Sequence, residues 1–267
     1  MADTWEWDPS LYSGSAEYYP RGRAAYPPEL AAAFATELGL DGTGRLLDVG
    51  CGPGSLTLLL AGMFEEAVGL DADAEMLGEA SRQAAGVTNC RWVHRRAEEL
   101  PAGLGRFRLV TFAQSFHWFD RAGVAAAVHG MLEPGGCCAH VHATTHEGVD
   151  GSVPHEAITE LVRKYLGPVR RAGRSVLPGG TPGGEPAIYR GAGFTGPRRF
   201  EVPGWVFSRT ADEVVAAVFS LSSSTPSLFG DRRAEFEREL RELLHRASPD
   251  GTFTERLPGI AVDLWRP

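Results

Sequence analysis

Apolar residues recur at helical spacing in some stretches and run together in others. Leu30, Phe34 and Leu38 fall at i, i+4 and i+8, which predicts a helix over residues 30–40. Residues 45–50 (RLLDVG) form a short apolar run and predict a strand. The alternation continues with a helix over 55–64, opening on Ser55 as its N-cap. A strand over 67–71, a helix over 74–85, strands over 91–96 and 109–113, and a helix over 122–132 follow. Glu133-Pro134-Gly135-Gly136 is a strong turn signal, and residues 137–144 predict the next strand. Strands that alternate with helices imply parallel βαβ units and a doubly wound α/β sheet.

After about residue 145 the rhythm changes. A helix is predicted over 158–166. Residues 168–186 are rich in Gly, Pro and Arg and read as a loop of a length that is more often functional or mobile than inert. Residues 197–208 predict a strand pair or one long bent strand, and 211–221 an apolar helix. Residues 231–246 predict an amphipathic helix with Phe236, Leu240, Leu243 and Leu244 on one side, and 260–265 a final strand. The first section has the form of a nucleotide-type core, the second of a cap plus the closing strands of the same sheet.

Composition narrows the function. The chain has 267 residues and a formal charge of −8, so nothing forms the basic stripe that nucleic-acid phosphate needs. No apolar run approaches the ~18 residues of a membrane span, and residues 1–9 carry Asp3, Glu6 and Asp8 without the apolar region of a secretory leader. Cys51, Cys90, Cys137 and Cys138 show no CxxC spacing and read as free thiols in a reducing cytoplasm. Lys164 is the single lysine among 26 basic residues, a bias expected of a GC-rich genome rather than of a function.

The most informative segment is Asp48-Val49-Gly50-Cys51-Gly52-Pro53-Gly54-Ser55, where an apolar strand enters a loop with glycine at every second position and then a helix. Glycine permits positive φ and close approach of backbone to a ligand. A dinucleotide fingerprint would place its third glycine at Ser55, and no G-x-x-x-x-G-K-[ST] is present. Asp71 ends the second strand, at the place where an acid meets a ribose in dinucleotide sites.

These residues resemble motif I of the class I S-adenosylmethionine-dependent methyltransferases, in which the loop receives the methionine part and the ribose of the cofactor. The resemblance implies that Asp48, Gly50, Cys51, Gly52 and Gly54 surround the cofactor, that Asp71 accepts hydrogen bonds from both ribose hydroxyls, and that Ala72 and Met76 lie beside it. Arg96-Ala97-Glu98-Glu99-Leu100-Pro101 is similar to the family's segment against the adenine, which implies Ala97 and Glu98 there; Arg96 stands where Asp or Ser is common. Ala113 and Gln114, at the end of the fourth strand, are implied likewise. The Phe116-His117-Trp118-Phe119-Asp120 ending is similar to the "type 11" and trans-aconitate methyltransferase-like subgroup. Residues 19–27 resemble that subgroup's Y-x-x-x-R-x-x-Y-P arm, with Ala24 where proline is usual. The resemblance implies that Tyr19 and Arg23 close over the methionine end, a fixed guanidinium being suited to a carboxylate.

The histidines leave more open. His117, at the carboxyl end of a strand, suits either a general base or a pocket wall. His140 and His142 alternate on one strand and share a face, with His146 just beyond. No carboxylate at convincing spacing completes a metal site, and none is expected. His142 is the second candidate base. Tyr18, Trp118 and His146 are candidates to line the acceptor pocket. Trp5, Trp7, Tyr12, Phe116 and Phe119 are further aromatics for a pocket wall, or for core packing.

The expectation is a single methyltransferase domain over 1–267, with sheet order 3-2-1-4-5-7-6 and strand 7 antiparallel. An arm over 1–29 and a cap over about 146–205 complete it. The implied reaction is methyl transfer from S-adenosylmethionine, leaving S-adenosylhomocysteine, to an O, N or C nucleophile of a small molecule. Secondary-metabolite tailoring is the context by analogy. Neither nucleic acid nor membrane is expected as partner, and the chain is expected as monomer or homodimer. The rival readings are a cofactor-binding non-catalytic partner and an NAD-type Rossmann enzyme. A nucleic-acid methyltransferase is disfavoured by the acidic balance and by Gln114-Ser115-Phe116-His117 where an Asn/Asp-Pro-Pro-Tyr/Phe motif would stand.

Overall fold

The computed structural model describes residue 8, residues 10–169, the backbone of 171, 172, 175 and 176, and residues 183–267. Trp5 and Trp7 lie outside the described residues, as does the middle of the 168–186 stretch. The chain forms two compact units: one of residues 26–143, 182–202 and 260–267, the other of residues 1–25, 144–181 and 203–259. The segment 146–205 therefore divides, with 182–202 joining the sheet unit.

Seven strands form the sheet unit: β1 (Arg45–Val49), β2 (Glu66–Asp71), β3 (Cys90–His94), β4 (Phe107–Ala113), β5 (Leu132–His142), β6 (Thr195–Val202) and β7 (Ile260–Arg266). Their order is β3-β2-β1-β4-β5-β7-β6. Neighbours from β3 through β5 are parallel, and β7 runs antiparallel to both β5 and β6. This is the expected order. Apolar runs make β1, β2 and β4 because both faces are covered: Leu46, Leu47, Val49, Val68, Val110 and Phe112 are fully buried. Strand order reverses between β1 and β4, which opens the crevice at the carboxyl ends where ligands bind in such sheets.

Three local expectations change. The helix after the glycine loop spans Ser55–Leu60 and is capped by Gly54 in the left-handed region, so Ser55 is its first residue and not its cap. The turn signal at 133–136 lies inside β5. Leu132 faces Phe107 and Cys137 faces Leu109, so β5 spends five residues where β4 spends two. The excess bulges out, with Gly135 at φ +81°. Residues 185 and 186, expected at the end of a loop, instead open a helix (Glu185–Gly191) over residues that carried no expectation; its Tyr189 is fully buried and stacks on Trp265 and Phe116. One aromatic anchor suffices for a helix too short to show periodicity.

The second unit is built on antiparallel strands Val206–Thr210, Thr252–Arg256 and Asp150–Gly151. Helices His155–Leu166, Ala211–Phe219 and Arg233–Ala247 pack around Val162, Val215, Phe219, Phe236, Leu240 and Phe253. Thr210 and Glu213 form a capping box that starts the second of these helices. The 197–208 segment thus resolves into two strands in different sheets. Strand Thr252–Arg256 escaped the hydropathy pattern because its second buried position is the carboxylate Glu255.

Candidate active site

The glycine loop connects β1 to its helix with Gly50, Gly52 and Gly54 at φ +69°, +54° and +79°. Only glycine takes these values without strain. The three differ in what surrounds them. A Cβ on Gly50 would come within 2.5 Å of the Ser115 Cβ, and one on Gly54 within 2.5 Å of the Trp92 ring, whereas one on Gly52 would meet nothing within 4 Å. Gly50 and Gly54 are demanded by the protein's own packing. Gly52 leaves open space beside its backbone.

Asp71, at the end of β2, supports that open position. Its Oδ2 accepts the Gly52 N–H at 2.7 Å and its Oδ1 the Asp73 N–H at 2.9 Å. Burial raises its carboxyl to about 6 against the opposing N–H groups of Asp73 and Gly52. A carboxylate offers about four lone-pair positions, so two remain for two further hydroxyl donors. Asp48 behaves differently. It is buried, and its oxygens accept from Thr57 Oγ1 at 2.7 Å and Thr111 Oγ1 at 2.8 Å. Burial raises its carboxyl too. Asp48 therefore ties β1, β4 and the loop helix together from beneath. Cys51 is buried and its thiol is pushed well up by burial, so it stays protonated. Met76 is buried, with its N–H capped by Asp73.

At the next strand ends, Ala97 and Glu98 lie in a short turn. Glu98 accepts the Asp120 N–H at 3.1 Å and pairs with Arg96 at 3.5 Å. Gln114 follows β4 and Ala113 with φ +57°, and Ser115 turns its hydroxyl back onto the Val49 carbonyl at 2.6 Å. His117 is half-buried; burial, then Arg121, lowers it to about 4, so it is neutral at pH 7. Trp118 is 7% exposed, which leaves it little surface for an acceptor.

His140 and His142 stack at 4.4 Å, as their alternation predicted. His142 Nε2 lies 3.0 Å from Asp263 Oδ2, and Arg199 grips the same carboxylate with two hydrogen bonds of 2.7 Å. Burial raises Asp263, but Arg199 and His142 outweigh it and the net direction is down. Sequence reading missed Asp263 and Arg199; the signal available was an acid in the apolar run Ile260-Ala261-Val262-Asp263-Leu264. It also missed the cradle formed by Trp92 and Ser115.

Tyr18, Tyr19, Arg23 and His146 belong to the second unit. Tyr18 packs against Phe219 at 5.2 Å and its hydroxyl accepts from Arg233, so it is bound into that core. Arg23 lies over the Tyr19 ring at 4.6 Å, donates to Ser220 Oγ at 2.8 Å, and its Nη1 meets His146 Nδ1 at 2.8 Å.

Residues 46–136 match the family model described as a methyltransferase domain. Within residues 46–136 the chain carries a class I S-adenosylmethionine-dependent methyltransferase domain. An uncharacterized methyltransferase from Mycobacterium tuberculosis (strain ATCC 25618 / H37Rv) is 37% identical over 134 residues, which cover 48% of this chain and 51% of that one. Trans-aconitate 2-methyltransferase of Pseudomonas paraeruginosa (strain DSM 24068 / PA7) is 30% identical over 189 residues, covering 68% of this chain and 58% of that one. A solved structure of a type II methyltransferase candidate from Anaeromyxobacter dehalogenans superposes with a TM-score of 0.57 at 22% identity, over 90% of this chain and 97% of that one, and shares the fold. The chain spans about half the length of the first curated relatives it matches. The cofactor of the methyltransferase domain is S-adenosylmethionine. The structure fits it: open space at Gly52 admits a close backbone approach, and Asp71 keeps lone pairs for ribose hydroxyls. Among the described residues, no helix is long and apolar enough to cross a membrane, and no group of three or more His, Cys, Asp or Glu is placed to hold a metal ion.

Proposed function

We propose that this chain transfers a methyl group to an O, N or C nucleophile of a small organic molecule. The observation that carries the reading is the open face of Gly52 backed by Asp71. When bound, the cofactor supplies an electrophilic methyl on a sulfonium. The protein's part is alignment for in-line displacement and exclusion of water. Asp71 takes the ribose hydroxyls, Ala72 and Met76 flank them, and Ala97 and Glu98 face the adenine. Ala113 and Gln114 border the reacting end, and Tyr19 and Arg23 serve the methionine carboxylate. Trans-aconitate 2-methyltransferase among the relatives supports a small-molecule acceptor, and the charge of −8 disfavours nucleic acid. A secondary-metabolite substrate and a cytoplasmic location belong to the same proposal, as does the division into core, arm and cap.

Of the two candidate bases, His142 has the better geometry. Its Nε2 is held by Asp263, which leaves Nδ1 as the proton acceptor, and the carboxylate stabilises the imidazolium that forms. His117, held near 4, is neutral but weakly basic, and orients the acceptor by accepting a hydrogen bond. Calorimetric titration with S-adenosylhomocysteine should show micromolar binding, and NAD should show none; absence of the first would sink the cofactor assignment. With an acceptor in hand, His142→Ala should lower kcat more than His117→Ala does, while neither changes S-adenosylhomocysteine affinity. Equal loss of cofactor affinity would make either residue a pocket wall.

A further inference from the structure

The second unit contains a cavity of about 310 Å³, at the lower end of small-molecule sites. One wall is apolar, with Ile158, Val162, Val214 and Val218. The other carries His146, His155, Arg209, Glu255 and the exposed carboxylate Glu147, which further disfavours an anion. Among the charges on this wall, Arg209 and Glu255 answer each other. Arg209 is 3% and Glu255 1% exposed, and they pair directly. Arg209 donates further to the Gly22 carbonyl at 2.7 Å. Glu255 accepts the Gly148 N–H at 3.0 Å.

The two histidines are held by opposite ring nitrogens, His146 through Nδ1 and His155 through Nε2. Arg23 can only donate, so His146 Nδ1, at 2.8 Å from its Nη1, is the acceptor and His146 carries its proton on Nε2. Burial, with the charges of Arg23 and Arg209, lowers His146 to about 3 and keeps it in this neutral form. His155 Nε2 lies 2.6 Å from Glu255 Oε1, so when the ring carries a single proton that proton sits on Nε2 facing the carboxylate, and Nδ1 is an acceptor. The cavity wall thus holds a donor, His146 Nε2–H, and an acceptor, His155 Nδ1. Neither atom has a hydrogen-bond partner among the described residues.

We propose that this cavity binds an uncharged, hydroxyl-bearing molecule with an apolar body, its oxygen accepting from His146 Nε2–H and its O–H donating to His155 Nδ1. A hydroxyl satisfies both ring nitrogens at once. A carboxylate only accepts and would set its charge against the lone pair of His155 and the nearby Glu255. A hydrocarbon would displace water from both nitrogens and offer them no partner in its place, which costs free energy. The inference concerns binding alone and stands whether or not the chain transfers methyl groups.

The test is titration of the full chain, without cofactor and at mildly alkaline pH, with 4-ethylphenol, 4-ethylbenzoate and ethylbenzene as probes. 4-Ethylphenol should bind about tenfold more tightly than either of the others, the difference expected for one satisfied buried hydrogen-bonding pair. His155→Ala should weaken 4-ethylphenol about tenfold and leave ethylbenzene unchanged. If that variant unfolds, His146→Phe, which keeps the volume and removes the donor, should give the same selective loss. Binding of the benzoate or of ethylbenzene as tight as that of the phenol, no binding of any probe, or an unchanged phenol affinity in a folded variant would overturn the proposal. S-adenosylhomocysteine titrated separately reports on the methyltransferase reading without touching this one.

Discussion

Two carboxylates, the buried Glu255 of the second unit and the half-buried Asp71 of the sheet unit, are treated in opposite ways. Glu255 in the second unit receives a guanidinium, an imidazole and a backbone N–H. Burial pushes its carboxyl up, but His155, Gly148 and Arg209 outweigh it and the net direction is down. Asp71 in the sheet unit receives two backbone N–H groups and no cation, and burial carries it up to about 6. The first acid is saturated and serves the fold. The second is left short of donors, beside a glycine whose outer face is open. A carboxylate in that condition gains most from hydroxyl donors brought by a ligand, provided that it borders open space; Asp48, also held by two donors and no cation, is enclosed and has no such access.

The sharpest way to break this comparison is to remove the cation from the saturated acid. Arg209→Met leaves Glu255 buried with His155 and Gly148 alone. Breaking a buried pair from one side costs about 3–5 kcal/mol, and the remaining donors place this case near the lower figure. Chemical denaturation should show the loss. Glu255→Gln added to Arg209→Met should recover part of it, since no buried charge then stands unpaired. A single variant as stable as the wild type would mean that the Arg209–Glu255 pair does not hold the second unit together.

The glycine loop offers the next contrast, inside one motif. Gly54→Ala must accept a left-handed φ, about 1–2 kcal/mol, and displace the Trp92 ring, about 1–3 kcal/mol more. Gly52→Ala meets only the first cost, because nothing lies near its Cβ. Gly54→Ala should therefore be the less stable by about 1–3 kcal/mol in urea unfolding. Gly52→Ala should instead lose S-adenosylhomocysteine affinity, because its methyl group enters the open space. Equal destabilisation by both would end the distinction between packing glycines and a ligand-facing one.

That distinction marks how far the sequence could be read. The central strands β1, β2 and β4 were legible as apolar runs bounded by helices of the right period, whereas the order of the sheet, including the polar β6, came from the family resemblance. The loop was legible because three glycines at alternate positions have few other uses. What the spacing could not convey is that Gly50 and Gly54 answer to Ser115 and Trp92, residues distant in the chain that look unremarkable in it. The same holds for Asp263 behind His142 and Glu255 behind His155. Each is a single acid on a strand that returns late, and its partner lies 121 or 100 positions away. The second unit was the less legible because it is assembled from three separated segments. One of its strands, Thr252–Arg256, alternates buried residues of opposite character. The bulge in β5 was misread because Glu-Pro-Gly-Gly signals a chain reversal as strongly as it signals a bulge.

Asp71→Ala tests the unsaturated acid directly. Loss of hydrogen bonds to a charged group should weaken S-adenosylhomocysteine by about 1.5–3 kcal/mol, read by calorimetry on a variant whose melting curve stays cooperative. Unchanged affinity would remove Asp71 from the ribose site.

The smallest effect is the pH dependence of the same affinity, and its sign follows from the raised carboxyl. Near 6, Asp71 exchanges its proton within the range in which the protein is handled. Ribose hydroxyls donate to the ionised form, so binding favours loss of that proton. Above about 7 the acid is already ionised and affinity should be flat. At pH 5 about a tenth of the unliganded protein carries the charge, and affinity should fall about tenfold from its plateau, near 1.4 kcal/mol. Stability runs the other way. The folded state holds this proton more tightly than the unfolded chain, so between about 4 and 6 Asp71 makes the unliganded protein less stable as pH rises. Glu255, shifted down, contributes stability that is lost on acidification. Cofactor affinity followed from pH 7.5 to pH 5, in the wild type and in Asp71→Asn, separates the two acids. The fall should vanish in the variant, which has no proton to lose. A fall of the same size in Asp71→Asn would assign the titration to another group and leave Asp71 as saturated, for this purpose, as Glu255.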